Sequence, residues 1–60
     1  MTNNEKWEMH KRLQHGAEIV AVTDIDGVDG CHTLRIYKES ADAIYYEEML
    51  NGNILRITKI

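Results

Sequence analysis

From Ala17 to Lys38 the chain reads as two β-rich segments, AEIVAVTD and CHTLRIYK, on either side of a polar stretch, IDGVDG. Ile19, Val20, Val22 and Thr23 precede that stretch and Thr33, Ile36 and Tyr37 follow it, the β-branched and aromatic residues that suit a pleated, half-buried surface. Asp24, Asp26, Gly27, Asp29 and Gly30 supply the turn chemistry, since Gly admits positive φ and short Asp side chains bond nearby backbone amides. The pattern predicts an antiparallel hairpin of strands 17–24 and 31–38. With Asp24 opposite Cys31, Ile19 meets Ile36, Ala21 meets Leu34 and Thr23 meets His32 on the face expected to form the core. The reverse face then pairs Glu18 with Tyr37, Val20 with Arg35 and Val22 with Thr33. A sheet with one wet face usually alternates cleanly, so Val20, Val22 and Tyr37 outside the core point to a second covered surface.

Upstream, residues 3–15 read as one helix of about three turns. Thr2, Asn3 and Asn4 are candidate N-caps and Gly16 a stop residue. Glu5 lies near the positive end of the helix dipole, Lys11 and Arg12 near the negative end, and Glu8 and Arg12 stand at i,i+4 in the favourable order. Only Met9 and Leu13 form an i,i+4 apolar pair, with Trp7 about a third of a turn aside. Such a stripe covers part of one sheet face and no more.

Residues 43–50 support two readings. As a helix over 41–51 they offer Ser40 as a cap, Ala41, Ile44, Tyr45 and Met49 at helical spacing, and Gly52 as a stop, which would give a three-stranded sheet with two helices. As a strand they lead through Asn51-Gly52, suited to a type I′ turn, into a partner at 53–60. Pairing about that turn sets Glu47 opposite Arg56, Tyr46 opposite Ile57 and Tyr45 opposite Thr58, whereas a helix would end on Glu47 and Glu48 without compensating cations. The strand is the better reading. The expected fold is therefore α+β, a short N-terminal helix packed on a four-stranded antiparallel meander, in one small domain over 1–60. Ile44, Tyr46, Leu50, Leu55 and Ile57 join the expected core face, where Glu48 is a misfit that must reach the rim or a partner. The reverse face collects Val20, Val22, Tyr37, Tyr45, Met49, Ile54 and Ile60 among Glu18, Arg35, Glu47 and Arg56.

Composition narrows the setting. A chain of 60 residues buries only about 60% of its unfolded surface, and short domains often lean on a disulfide, a metal or a second subunit. A single cysteine, Cys31, excludes an internal disulfide and fits a reducing compartment. Hydrophobic content of 43% with 28% charged residues is that of a soluble domain, and the apolar run Ile19 to Val22 is too short to span a bilayer. Met1 to Gly16 lacks the apolar stretch of a secretory leader, so a cytoplasmic location and no membrane association are expected. Ten acidic against seven basic side chains give a net charge of −3, which disfavours nucleic-acid backbones and favours a protein partner.

Chemical motifs are weak. Counted from Asp24, the EF-hand places that require an oxygen ligand at 5, Gly at 6 and Glu at 12 hold Val28, Asp29 and Arg35, so the acidic stretch reads as a hairpin loop. His10, His15, Cys31 and His32 lack zinc spacing, because neighbours in a strand point to opposite faces and His10 and His15 are not one helical turn apart. The same geometry turns His32 away from the Cys31 sulfur, which reads as a small, partly buried thiol rather than a nucleophile. No catalytic residue, cofactor or metal is expected, and the chain does not read as an enzyme.

The functional expectation is a small protein-interaction or regulatory module, a homodimer or an accessory or inhibitory subunit, acting through its mixed apolar sheet face. The interface candidates are Val20, Val22, Arg35, Tyr37, Tyr45, Met49, Ile54 and Arg56, with Tyr37 and Tyr45 as anchors and the two arginines setting orientation. Two alternatives stand beside it. Lys6, Lys11, Arg12, Arg35, Lys38, Arg56 and Lys59 with Tyr37 and Tyr45 would form the binding surface of a small β-type nucleic-acid module. Asp24, Asp26, Asp29, Glu39 and Asp42, if aligned on one surface, would imitate a phosphate backbone and make the chain an acidic nucleic-acid-mimic inhibitor.

Overall fold

A computed structural model describes residues 2–60. Helix α1 (Asn3–Gly16) leads into strands β1 (Glu18–Gly27), β2 (Gly30–Ser40), β3 (Ala43–Leu50) and β4 (Asn53–Lys59), which form one antiparallel sheet in the order β1-β2-β3-β4. The α+β meander is thus the fold, and 43–50 is a strand rather than a helix. Thr2 caps α1 through a capping box: its hydroxyl accepts from the Glu5 N–H at 3.2 Å and the Glu5 carboxylate accepts from the Thr2 N–H at 3.0 Å. The helix ends at Gly16 without a left-handed residue, Ala17 taking the C-cap in extended backbone. Arg12 does not pair with Glu8; it reaches across to Glu39, 3.0 Å away.

Two turns set the registers. At Asn51 (φ 50°) and Gly52 (φ 86°) both central residues are left-handed, the type I′ geometry read from the dipeptide. The first hairpin closes more tightly than 25–30 implies. Gly27 pairs with Gly30 and Asp26 with Cys31, so the acids Asp24 and Asp26 belong to β1 itself, and Thr23 faces Leu34 while Ile25 faces His32. Three bulges follow, between Ile19 and Ala21 in β1, between Lys38 and Ser40 in β2, and at Leu55 in β4 opposite Glu48 and Met49. The last of these moves Arg56 opposite Glu48 and Ile57 opposite Glu47, in place of the expected Glu47–Arg56 pair.

The helix lies against β4 and β2, on the face expected to be left bare. Leu13, Tyr37, Ile54 and Ile57 are the buried apolar residues, with Met9, Ala17, Tyr45 and Met49 packed on them. Ile36, Leu34, Ile44, Tyr46 and Leu50, expected in the core, lie on the opposite, uncovered side. Complementarity explains the inversion. The Met9–Leu13 stripe is flanked by His10 and Gln14, and the face carrying Tyr37 and Glu47 meets the stripe with apolar contact and those two polar groups with partners. Ile57 sits on this covered side as well, because the Leu55 bulge puts it opposite Glu47.

Candidate interaction surface

Beneath the helix the sheet holds a carboxylate out of water. Glu47 is fully buried, and its oxygens meet three partners: His10 Nδ1 at 2.6 Å, Arg35 Nη1 at 3.2 Å and the Tyr37 hydroxyl, which donates at 3.2 Å. Gln14 Nε2 donates to the Tyr37 oxygen at 2.6 Å, and Arg35 also lies 3.1 Å from the Met49 sulfur. Burial pushes the Tyr37 phenol above its ordinary pKa, and the Glu47 charge beside it adds to the rise. Among the described residues no buried side-chain N or O lacks a partner. Two helix residues and three sheet residues are joined here, which makes the network a clasp that orients α1.

The interface candidates divide accordingly. Tyr37 and Ile54 are in the core, Tyr45 and Met49 pack against it, and Arg35 is held by Glu47. The first four are engaged with the core that the chain's own helix covers and Arg35 is engaged within the sheet, so Tyr37 and Tyr45 serve as anchors for α1. Arg12 lies 5.7 Å above the Tyr45 ring and bonds its hydroxyl at 3.3 Å. Val22 is on the helix side but beyond the helix's reach, and Val20 sits at the β1 bulge; they stay 52% and 58% exposed. Arg56 lies on the other face, 3.2 Å from Glu48.

Among the described residues, no helix or strand lies over that other face. Directly opposed residues in an antiparallel ladder share a face, so Ala21, Thr23 and Ile25 of β1 lie with Ile36, Leu34 and His32 of β2, followed by Ile44, Tyr46, Glu48 and Leu50 of β3 and Arg56 and Thr58 of β4. Leu34, Ile36, Ile44, Tyr46 and Leu50 are half-buried by their lateral neighbours alone, while Ile25 and Leu55 are exposed. The polar members neutralise one another. Glu48 lies between His32 Nδ1 (3.0 Å) and Arg56 Nε (3.2 Å), satisfying the misfit within the chain, and His32 Nε2 is 2.8 Å from Asp29. The bonds from Asp29 first and Glu48 second raise the His32 pKa above its ordinary 6.5. Burial, with Glu48 alongside, likewise raises that of Tyr46.

The remaining candidates are scattered. Cys31 is exposed rather than partly buried, on the side opposite His32. No group of three or more His, Cys, Asp or Glu among the described residues is placed to hold a metal ion. Each arginine is committed to a glutamate: Arg12 to Glu39, Arg35 to Glu47 and Arg56 to Glu48. Asp24, Asp26 and Asp29 lie toward the first turn, whereas Glu39 and Asp42 lie at and just past the far end of β2, roughly 20 to 30 Å away at a strand's rise per residue. No helix among the described residues is long and apolar enough to cross a membrane. Comparison with known proteins finds no matching family model, curated protein or solved structure.

Proposed function

We propose that this chain is a small protein-interaction module that forms a homodimer by packing the uncovered face of its sheet against the same face of a second copy. The observation that carries the reading is that α1 takes one side of the sheet and, among the described residues, no other element lies over Leu34, Ile36, Ile44 and Tyr46. The total accessible surface, 4099 Å², is close to the roughly 4,000 Å² expected for this mass, so the position of the apolar surface rather than its amount is the signal.

Size and charge favour a second copy as the occupant. Four strands of this length span about 19 by 30 Å, so two such faces meeting about 10 Å apart bury on the order of 1,000 Å² in total, enough for a specific contact. Lys38 and Arg56 balance Glu18 and Glu48 on this face, while the chain as a whole carries −3. A neutral mosaic meets its own copy without the repulsion that the rest of the surface would impose. Nucleic-acid binding and phosphate mimicry draw less support, from the paired arginines and the divided acids.

Sedimentation equilibrium tests the proposal. Wild type should sediment at twice the 6.9 kDa of one chain, and Ile36→Glu at one chain mass with its far-UV spectrum unchanged. Should Ile36→Glu fail to fold, Leu55→Glu at the more exposed margin gives the same comparison. A wild type at one chain mass at millimolar concentration contradicts it.

A further inference from the structure

The sheet has a second unused surface, independent of its faces. β1 is an edge strand, all ten of its residues are exposed, and every second residue turns its N–H and C=O away from β2. The opposite edge is guarded. β4 has seven residues, a bulge at Leu55, Arg56 and Lys59 along its length, and the helix beside it. β1 carries no cationic side chain, and its one bulge, at Val20, leaves a regular ladder from Ala21 to Gly27.

The side chains along that ladder have a definite chemistry. On the helix side β1 presents Ile19, Val22, Asp24 and Asp26, and on the other side Thr23 and Ile25. Asp24 and Asp26 have no cationic partner among the described residues; Asp24 accepts only the Thr33 hydroxyl, at 2.9 Å. We propose that the β1 edge is a strand-addition site for an extended, cationic peptide segment of a partner protein, whose backbone continues the ladder and whose Lys or Arg side chains lie beside Asp24 and Asp26. Backbone pairing supplies affinity and the alternating side chains supply selectivity. A second copy of β1 fits poorly here, since it would join Glu18, Asp24 and Asp26 to the same three acids in a ribbon without a cation of its own. The site does not depend on the homodimer, because sheet-face packing leaves the edge free.

The probe is a blocked ten-residue peptide of alternating Val and Lys, with a Val and Glu peptide as its control, titrated into isotope-labelled protein. The Val–Lys peptide should shift the amides of Ala21 to Gly27 and protect those turned away from β2, bind about ten-fold more tightly than the control and weaken as salt is raised. Asp24→Asn with Asp26→Asn should remove most of that preference while leaving the fold and the chain's own association unchanged. Repeating the titration on Ile36→Glu separates this site from the dimer: β1 shifts should persist when the sheet face is disabled. Absence of binding, shifts confined to the sheet face, a preference that survives loss of both aspartates, or concentration-dependent protection of β1 without peptide would each overturn it.

Discussion

Glu47 of β3 lies 2.6 Å from His10 of α1 with no exposed surface of its own, so the one helix and the sheet are joined through a buried carboxylate. Buried ionic groups are costly unless every lone pair is used, and here Arg35 and Tyr37 complete the set. The pairing gives α1 one acceptable position on the sheet. Sliding the helix by a turn would keep the Met9–Leu13 contacts apolar but strand His10 and Gln14.

Truncation of Glu47 should therefore be among the most damaging single changes. Glu47→Ala leaves Arg35 and Tyr37 without their buried acceptor and is expected to cost about 3 kcal/mol, against a total of about 5 kcal/mol for a small domain. Urea unfolding of Glu47→Ala and His10→Ala, singly and together, measures the coupling, which should be about 1 kcal/mol or more. Additive single effects would dissolve the clasp.

The turns make a second prediction. Gly30 has φ +129°, and a Cβ there would lie within about 2.5 to 2.7 Å of Asn51 Oδ1 and Cγ, besides meeting its Nδ2. Asn51 has little freedom to withdraw, because its Oδ1 accepts the Cys31 N–H at 3.1 Å and its Nδ2 donates to the Asp29 carbonyl at 3.3 Å. Gly30→Ala should lower stability by about 2 kcal/mol, from backbone strain together with the lost tie between the two turns. Gly16→Ala, where nothing lies within 4 Å, is the control and should be neutral or slightly stabilising.

The chain's periodicity carried most of the architecture but assigned the covered face wrongly. Strand identity was legible because the Asn51-Gly52 turn has a ready partner in 53–60, while a helix would end on Glu47 and Glu48 without compensating cations. The covered face was not, because Leu34, Ile36 and Ile44 are more apolar than Arg35, Tyr37 and Glu47, and composition alone favours the former. What decided it was pairing between His10, Gln14, Tyr37 and Glu47, residues distant in sequence whose match becomes visible only once β2 and β3 are adjacent. One available signal was the polar character of α1 beside its apolar stripe. The bulge at Leu55 left no mark in the sequence, so the Arg56 partner was misplaced with it.

The pH dependence of stability should carry the signature of His32. Its pKa in the folded chain is raised above 6.5, so its contribution is fully present below that value and is lost as pH rises through the higher folded-state value. Wild type should become less stable as pH rises from about 6.5 through the higher folded-state pKa of His32, and His32→Gln should flatten that slope. Asp29, lowered below its usual 3.8 chiefly by the bond from His32, acts in a separate window and loses its contribution only as pH falls through its lower folded-state value.

The helix start offers a smaller test. Thr2→Ala removes one half of the capping box and should cost about 1 kcal/mol, while the Glu5 carboxyl, held below its usual 4.5 mainly by its bond from the Thr2 backbone N–H, which alanine keeps, should move only part of the way back toward it. Thermal unfolding and a carboxylate titration by NMR read the two effects separately.

The uncovered sheet face is the centre of the functional account, and isotope-filtered NOEs in a one-to-one mixture of labelled and unlabelled chain probe it most directly. The account predicts intermolecular NOEs among the side chains of Leu34, Ile36, Ile44 and Tyr46. A mixture that gives none at millimolar concentration, or gives them only along α1, would contradict it.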